Sequence, residues 1–165
     1  MHSFILCALL ASSALLAFAS EEQHYSFSPL AGSNSGTPFS LTGEERITGV
    51  RLWDNGGYIH ALQLRYGAIW SSTVGNSYGR VEEILLYDDE AIIQVSGKYS
   101  HYIHALVFVT NRGRSLFAGQ FSGISFNMYP EFEGAELRFI SGTLHGSLTG
   151  LSAHWAVVSQ DSNEM

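Results

Sequence analysis

The chain has 165 residues, with 15 acidic against 8 basic side chains and a net charge of −7 when histidines are neutral. That balance excludes the basic footprint through which proteins hold nucleic acid or anionic membranes. Only 14% of residues are charged, while 45% are hydrophobic and 17 are glycine, a mixture that suits a β-rich domain presenting hydroxyls, amides and rings.

The chain opens on MHSFILCALLASSALLAFA, a stretch without Asp, Glu, Lys or Arg. Its apolar run from Phe4 to Leu16 is too short for a bilayer core of about 30 Å. Ala17 and Ala19 supply the small side chains of a cleavage site, so residues 1–19 read as a signal peptide and the mature protein as secreted, without membrane insertion. Cys7, the only cysteine, lies inside that segment. The mature domain, residues 23–159, is therefore expected to rely on packing alone, which favours a closed core over a disulfide scaffold. Residues 160–165, polar throughout the QDSNE stretch, read as a flexible tail.

Between these ends apolar residues recur at every second position, broken by Gly, Asn, Ser or Asp clusters. This pattern predicts strands over RITGVRL, YIHALQLRY, VEEILLY, AIIQVSG, YIHALVFVT, SLFAG, ELRFISG and LSAHWAVV, and no helix. Pro29, Pro38 and Pro130 all fall between the predicted strands. The pentapeptide YIHAL occurs twice, at residues 58–62 and 102–106. Each copy is preceded by a strand and a polar tip and followed by an alternating strand. A fainter third copy is marked by Ser141-Gly142, which answers Ser96-Gly97, and by Leu151, which answers Leu106. Three units of about 45 residues predict a threefold all-β architecture. Propeller blades of similar length carry signatures that are absent here, as is the Q-x-W of a β-trefoil, which leaves a β-prism of three four-stranded sheets.

The blocks ITGVRL (47–52), LQLRYGAIWS (62–71), IQVSGKY (93–99), LVFVT (106–110) and LRFISG (137–142) resemble the jacalin-related lectins, within them the animal zymogen-granule type. The resemblance runs from about Tyr25 to Val158 and implies the β-prism I fold and a non-enzymatic, glycan-binding protein. It also implies a site of three loops at one end of the prism. The glycine-rich loop maps to Gly32, Ser33, Asn34, Ser35 and Gly36. The recognition loop maps to Lys98, Tyr99, Ser100, His101 and Tyr102, and the binding loop to His145, Gly146, Ser147, Leu148 and Thr149. Glycine-loop amides can approach sugar hydroxyls closely, and Tyr99 or Tyr102 can cover the C–H face of a ring. The family's binding loop reads G-x-x-x-D, whereas the window here is GSLTG, with Gly150 where the carboxylate is expected. Two expectations follow: a lectin for glycans of polysaccharides or glycoproteins at a mucosal or secretory-granule surface, or a lectin-fold adaptor that has lost mannose binding and works through protein contacts in granule packaging. Neither oligomeric state nor the preferred sugar is encoded legibly.

Other chemistry-bearing residues have plainer readings. His60 and His104 are expected to be structural, on the strand face of Leu62 and Leu106. His101 and His104 are expected on opposite faces, and His145 with His101 lacks a third ligand, so no metal and no cofactor is expected. Glu82-Glu83 and Asp88-Asp89-Glu90 are read as a strand pair pointing opposite ways and a solvated turn, not as a glycosidase pair. Ser147 near His145 has no nucleophile-elbow context. Trp53, Trp70 and Trp155 are read as core.

Overall fold

The computed structural model describes residues 24–158; the expected signal segment and polar tail lie outside the described residues. Fourteen strands follow in chain order: β1 Tyr25–Phe27, β2 Ala31–Gly32, β3 Thr37–Leu41, β4 Ile47–Asp54, β5 Ile59–Tyr66, β6 Ile69–Trp70, β7 Val74–Gly75, β8 Arg80–Leu85, β9 Ile92–Tyr99, β10 Ile103–Thr110, β11 Ser115–Gly119, β12 Ile124–Met128, β13 Ala135–His145 and β14 Ser147–Val157. All ladders are antiparallel.

The strands form three sheets, each built on a central hairpin. The first is β1-β14-β13-β3 with β2 also on β14, the second β6-β5-β4-β8 with β7 also on β5, and the third β11-β10-β9-β12. The expected fourth strand is thus split in two of the sheets. In the first the break holds Pro29, which has no N–H to donate to a ladder. In the second, Ser71 leaves the strand but keeps contact with β5, its N–H donating to the Leu64 carbonyl at 2.8 Å. Pro38 does not fall between strands as expected. It sits within β3, on the sheet edge opposite Thr143, where a missing donor is tolerated.

The hairpins pack their inner faces on one another. Val50, Leu52, Leu62 and Leu64 meet Val95, Leu106 and Phe108, and Leu137, Ile140, Leu151 and Trp155 from the first sheet complete one core. Trp155 is fully buried and its Nε1 donates to Ser28 Oγ at 3.1 Å. Trp53 and Trp70 are not core residues. They lie half-buried on the outer face, where the Arg51 guanidinium sits 4.1 Å from the Trp70 ring and bonds Glu83. This stacked cation keeps its stem on apolar surface while its charge is paired.

Each hairpin carries a β-bulge at the same place. Asp54 pairs Ile59 and Trp53 pairs Ala61, leaving His60 extra. Tyr99 pairs Ile103 and Lys98 pairs Ala105, leaving His104 extra. Leu144 pairs Leu148 and Thr143 pairs Gly150, leaving Thr149 extra. An extra residue reverses the alternation on either side of it. His60 and His104 therefore do not share the inward face of Leu62 and Leu106 as expected. They are half-buried, while Ile59, Leu62, Ile103 and Leu106 are fully buried.

Candidate functional site

The three bulges dictate what happens at this end of the prism. A bulge turns one carbonyl out of its ladder, and each of these carbonyls is taken up by the outer segment of its own sheet. Thr149 O accepts from Ser33 N at 2.8 Å, His60 O from Asn76 N at 3.1 Å and His104 O from Gln120 N at 2.9 Å. The residue before each donor is Gly32, Gly75 or Gly119, at φ 129, 92 and 89 degrees. A Cβ at any of them would collide with the bulge carbonyl, so only glycine satisfies both the conformation and the approach. Each glycine opens a G-x-x-x-G loop: GSNSG at 32–36, GNSYG at 75–79 and GQFSG at 119–123. The glycine-rich loop is one of three equivalent loops.

The second residue of each loop then reaches across to a neighbouring sheet. Ser33 Oγ donates to His101 O at 2.8 Å, Asn76 Nδ2 to Gly146 O at 3.0 Å and Gln120 Nε2 to Gly57 O at 3.3 Å. Loops and tips thus close into a ring that is held by uncharged hydrogen bonds. Within it, the glycine-rich, recognition and binding loops are brought together as expected: Ser33 touches both of the others, and Thr149 Oγ1 donates to Ser35 O.

A family model of the jacalin-like lectin domain matches residues 28–154. The chain belongs to the jacalin-like lectin family. It is 42% identical over 158 residues to zymogen granule membrane protein 16 of Rattus norvegicus, covering 94% of this chain and 94% of that one. It is also 42% identical over 156 residues to the Homo sapiens protein of that name, covering 93% and 90%. Among solved structures, the prostate-specific WGA16 glycoprotein lectin matches with a TM-score of 0.70 at 30% identity, over 79% of this chain and 97% of that one. The fold and the resemblance read from the sequence are both borne out.

In this lectin domain the mapped residues divide into those that face outward and those that hold the loops. Ser33, Asn34, Gly36, Ser100, His101, His145 and Gly146 are exposed. Leu148 is not available to a ligand; it is fully buried in the core, as its equivalents Ile59 and Ile103 are. Thr149 is likewise buried, its hydroxyl donating to Ser35 O while lying 2.9 Å from Thr143 Oγ1. Tyr99 packs against the core beside Phe126 instead of offering a free face. Tyr102 clusters with Tyr58 and His101, ring centroids 4.8 and 4.7 Å away. Lys98 projects from β9 toward Ser125 Oγ at 2.6 Å.

Gly150 is also recast. A Cβ there would meet Thr143 Oγ1 and the Leu30 side chain, not open solvent. The residue of this segment whose side chain reaches the glycine-rich loop is Thr149, the bulge residue.

Ser147 pairs with His60, not with His145, its Oγ lying 2.8 Å from Nδ1. The other ring nitrogen, Nε2, is buried without a hydrogen-bond partner, so no carboxylate orients this imidazole as a triad base requires. His101 lies in the turn before β10, outside the regular strand on which the opposite-faces expectation was based. His104 is held by Ser100 Oγ at Nε2 and Ser122 Oγ at Nδ1, at 2.8 and 2.7 Å.

At the opposite end, Glu90 departs from the solvated turn expected. Its side chain is buried, with Thr110 Oγ1 donating to it at 2.6 Å, Arg114 at 2.6 Å and the Tyr87 N–H at 3.0 Å. Burial opposes its ionisation, but these donors outweigh that and hold the carboxyl below its ordinary range. Asp88 and Asp89 are exposed as expected. A cleft of about 660 Å³ opens at this end beside the Arg46–Glu136 pair, away from the ring of loops.

His60, Asn76 and Gln120 escaped the sequence reading as members of this end. The recurrence of G-x-x-x-G in all three repeats was the available signal.

Proposed function

We propose that this chain is a secreted carbohydrate-binding protein that recognises glycans of polysaccharides or glycoproteins, at a mucosal or secretory-granule surface, without catalysis. The observation that carries this reading is the junction of the three loops at Ser33, which bonds Thr149 O through its amide and His101 O through its hydroxyl. That junction gathers the exposed Ser33, Asn34, Ser100, His101 and His145 at one end of the prism. Hydroxyl, amide and imidazole groups that both donate and accept suit the vicinal hydroxyls of a pyranose. The names of the zymogen granule relatives support the placement at granules.

A second reading is favoured by one specific observation. The Thr149 hydroxyl, the side chain nearest the glycine-rich loop, is already committed to Ser35 O, and the tip offers no carboxylate as acceptor. A charged acceptor is worth about 1.5–3 kcal/mol to a hydrogen-bonded ligand, so a chain without one is also suited to acting as a lectin-fold adaptor through protein contacts in granule packaging. A glycan array with the mature protein, beside a variant in which residues 33–35 and 145–147 are replaced by glycine, separates the two. Selective signal that disappears in the variant supports glycan recognition at these loops. Silence supports the adaptor, and signal that survives in the variant moves the site elsewhere.

A further inference from the structure

The binding loop turns at Gly146, which is exposed, adopts φ 74 and has open space where a Cβ would be. Within its own sheet the loop is held at Thr149, by the Ser33 amide and the Ser35 carbonyl, and two groups from the second sheet grip the tip before it. Asn76 Nδ2 donates to the Gly146 carbonyl at 3.0 Å, and the His60 ring meets Ser147 Oγ at 2.8 Å. Both groups meet at a single bulge. Its extra residue, His60, turns its carbonyl to the Asn76 amide and its ring to Ser147, while Tyr78 from the same G-x-x-x-G loop stands edge-on against that ring, 5.6 Å away.

We infer that Asn76 and His60 are positioning residues for the sugar-binding site: without touching ligand, they set the conformation of residues 145–149 from a neighbouring sheet. This rests on the lectin reading for its consequence, because a loop held in its bound shape forfeits less entropy on binding. The equivalent histidine cannot do the same. His104 spends both ring nitrogens on Ser100 and Ser122 of its own sheet. The equivalent amide can, since Gln120 makes the same kind of cross-sheet bond to Gly57 O.

The test uses the full mature chain and four proteins: wild type, Asn76→Asp, Asn76→Gln and His60→Phe. Aspartate has the shape of asparagine but no N–H to give Gly146, whereas glutamine keeps the donor. Hydrogen exchange at residues 146–149, which needs no ligand, is expected to quicken roughly three- to tenfold in Asn76→Asp and His60→Phe, the factor for one ordinary hydrogen bond. It should return near the wild-type rate in Asn76→Gln, with the tips at 55–58 and 100–102 unmoved. Whichever array glycan the wild type selects should bind Asn76→Asp weaker by a similar factor and Asn76→Gln normally. Unchanged exchange in Asn76→Asp, equal changes in Asp and Gln variants, or a change shared by all three tips overturns the assignment, as does altered exchange with unaltered affinity. Should the wild type select no glycan, the lectin reading fails by itself, and the exchange rates still decide whether the loop is held from the second sheet.

Discussion

The two copies of YIHAL have the same sequence, the same bulge and the same buried face, yet their histidines do different work. At residues 58–62 the imidazole crosses to the tip of another sheet, meeting Ser147. At 102–106 it closes on Ser100 and Ser122 within its own sheet and packs edge-on against Tyr58. The difference comes from what precedes the pentapeptide. Copy one follows DNGG, whose Asp54 and Asn55 side chains accept from Gly56, Gly57 and Tyr58 N–H groups and which has no hydroxyl of its own to offer His60. Copy two follows KYSH, whose Ser100 supplies one. A repeat fixes the framework, and the tips decide which sheet each framework histidine bonds to.

The shared part of the comparison gives the largest expected effect. Leu62 and Leu106 are both fully buried in the same core, so Leu62→Ala and Leu106→Ala should each cost about 2–5 kcal/mol, and by similar amounts, in denaturant titrations. A clear inequality would mean that the threefold core is not equally packed.

The bases of the two hairpins differ, and Glu90→Gln should expose this. Glu90 anchors the second hairpin through Thr110 and Arg114, whereas the first is anchored by the Tyr66 phenol donating to Leu41 O at 2.6 Å. Losing the carboxylate should cost about 1.5–3 kcal/mol and leave glycan affinity unchanged. The sign with pH follows from the depressed folded-state pKa of Glu90. Its contribution is complete above the unfolded value of about 4.3 and is lost as pH falls through the folded value. Thermal melts of wild type and Glu90→Gln should therefore converge in acid. The third hairpin contributes with the same sign. Burial lowers the His154 pKa, so its contribution is complete above the unfolded value of about 6.5 and declines below it.

The third copy, SLTGL, sharpens the contrast further. Gly150→Asp should destabilise by about 1–3 kcal/mol, the usual cost of overpacking, because the new side chain meets Thr143 and Leu30. It should confer no mannose binding on an array; a gain there would place the acceptor position at 150 after all. The smallest effect belongs to His104→Phe, about 1 kcal/mol for exchanging polar contacts near solvent, with the loop at 145–149 unmoved, unlike the outcome expected for His60→Phe.

The hairpin strands are legible because Leu64 and Val95 alternate with polar neighbours, and the run around Phe108 is β-branched and aromatic. The six missed strands, β1, β2, β3, β6, β7 and β12, are short, sit at sheet edges and have one or no buried apolar side chain on which a period could show. The loops are assigned by family resemblance, which does not reach their inner workings, since a bulge leaves no mark in the residue types of its own hairpin. Counting by twos through His60 puts it on the wrong face, and the family's G-x-x-x-D spacing, which takes no account of the bulge at Thr149, points to Gly150 as the acceptor position. The burial of Glu90 was hidden for a related reason: its partner Arg114 lies 24 residues away, and only the closed hairpin joins them.

The divided outer strands have a consequence for assembly. Adding a foreign strand to a sheet requires a long row of unpaired backbone groups. Here one margin consists of β1 and β2 and another of β6 and β7, pieces of two or three residues each, and the margin at β3 holds Pro38, which cannot donate. Growth of a continuous ladder between copies of this chain is thereby blocked at these three borders. The margins left without such a break are β8, β11 and β12, of five or six residues each, so a strand from a second copy has only these to add to.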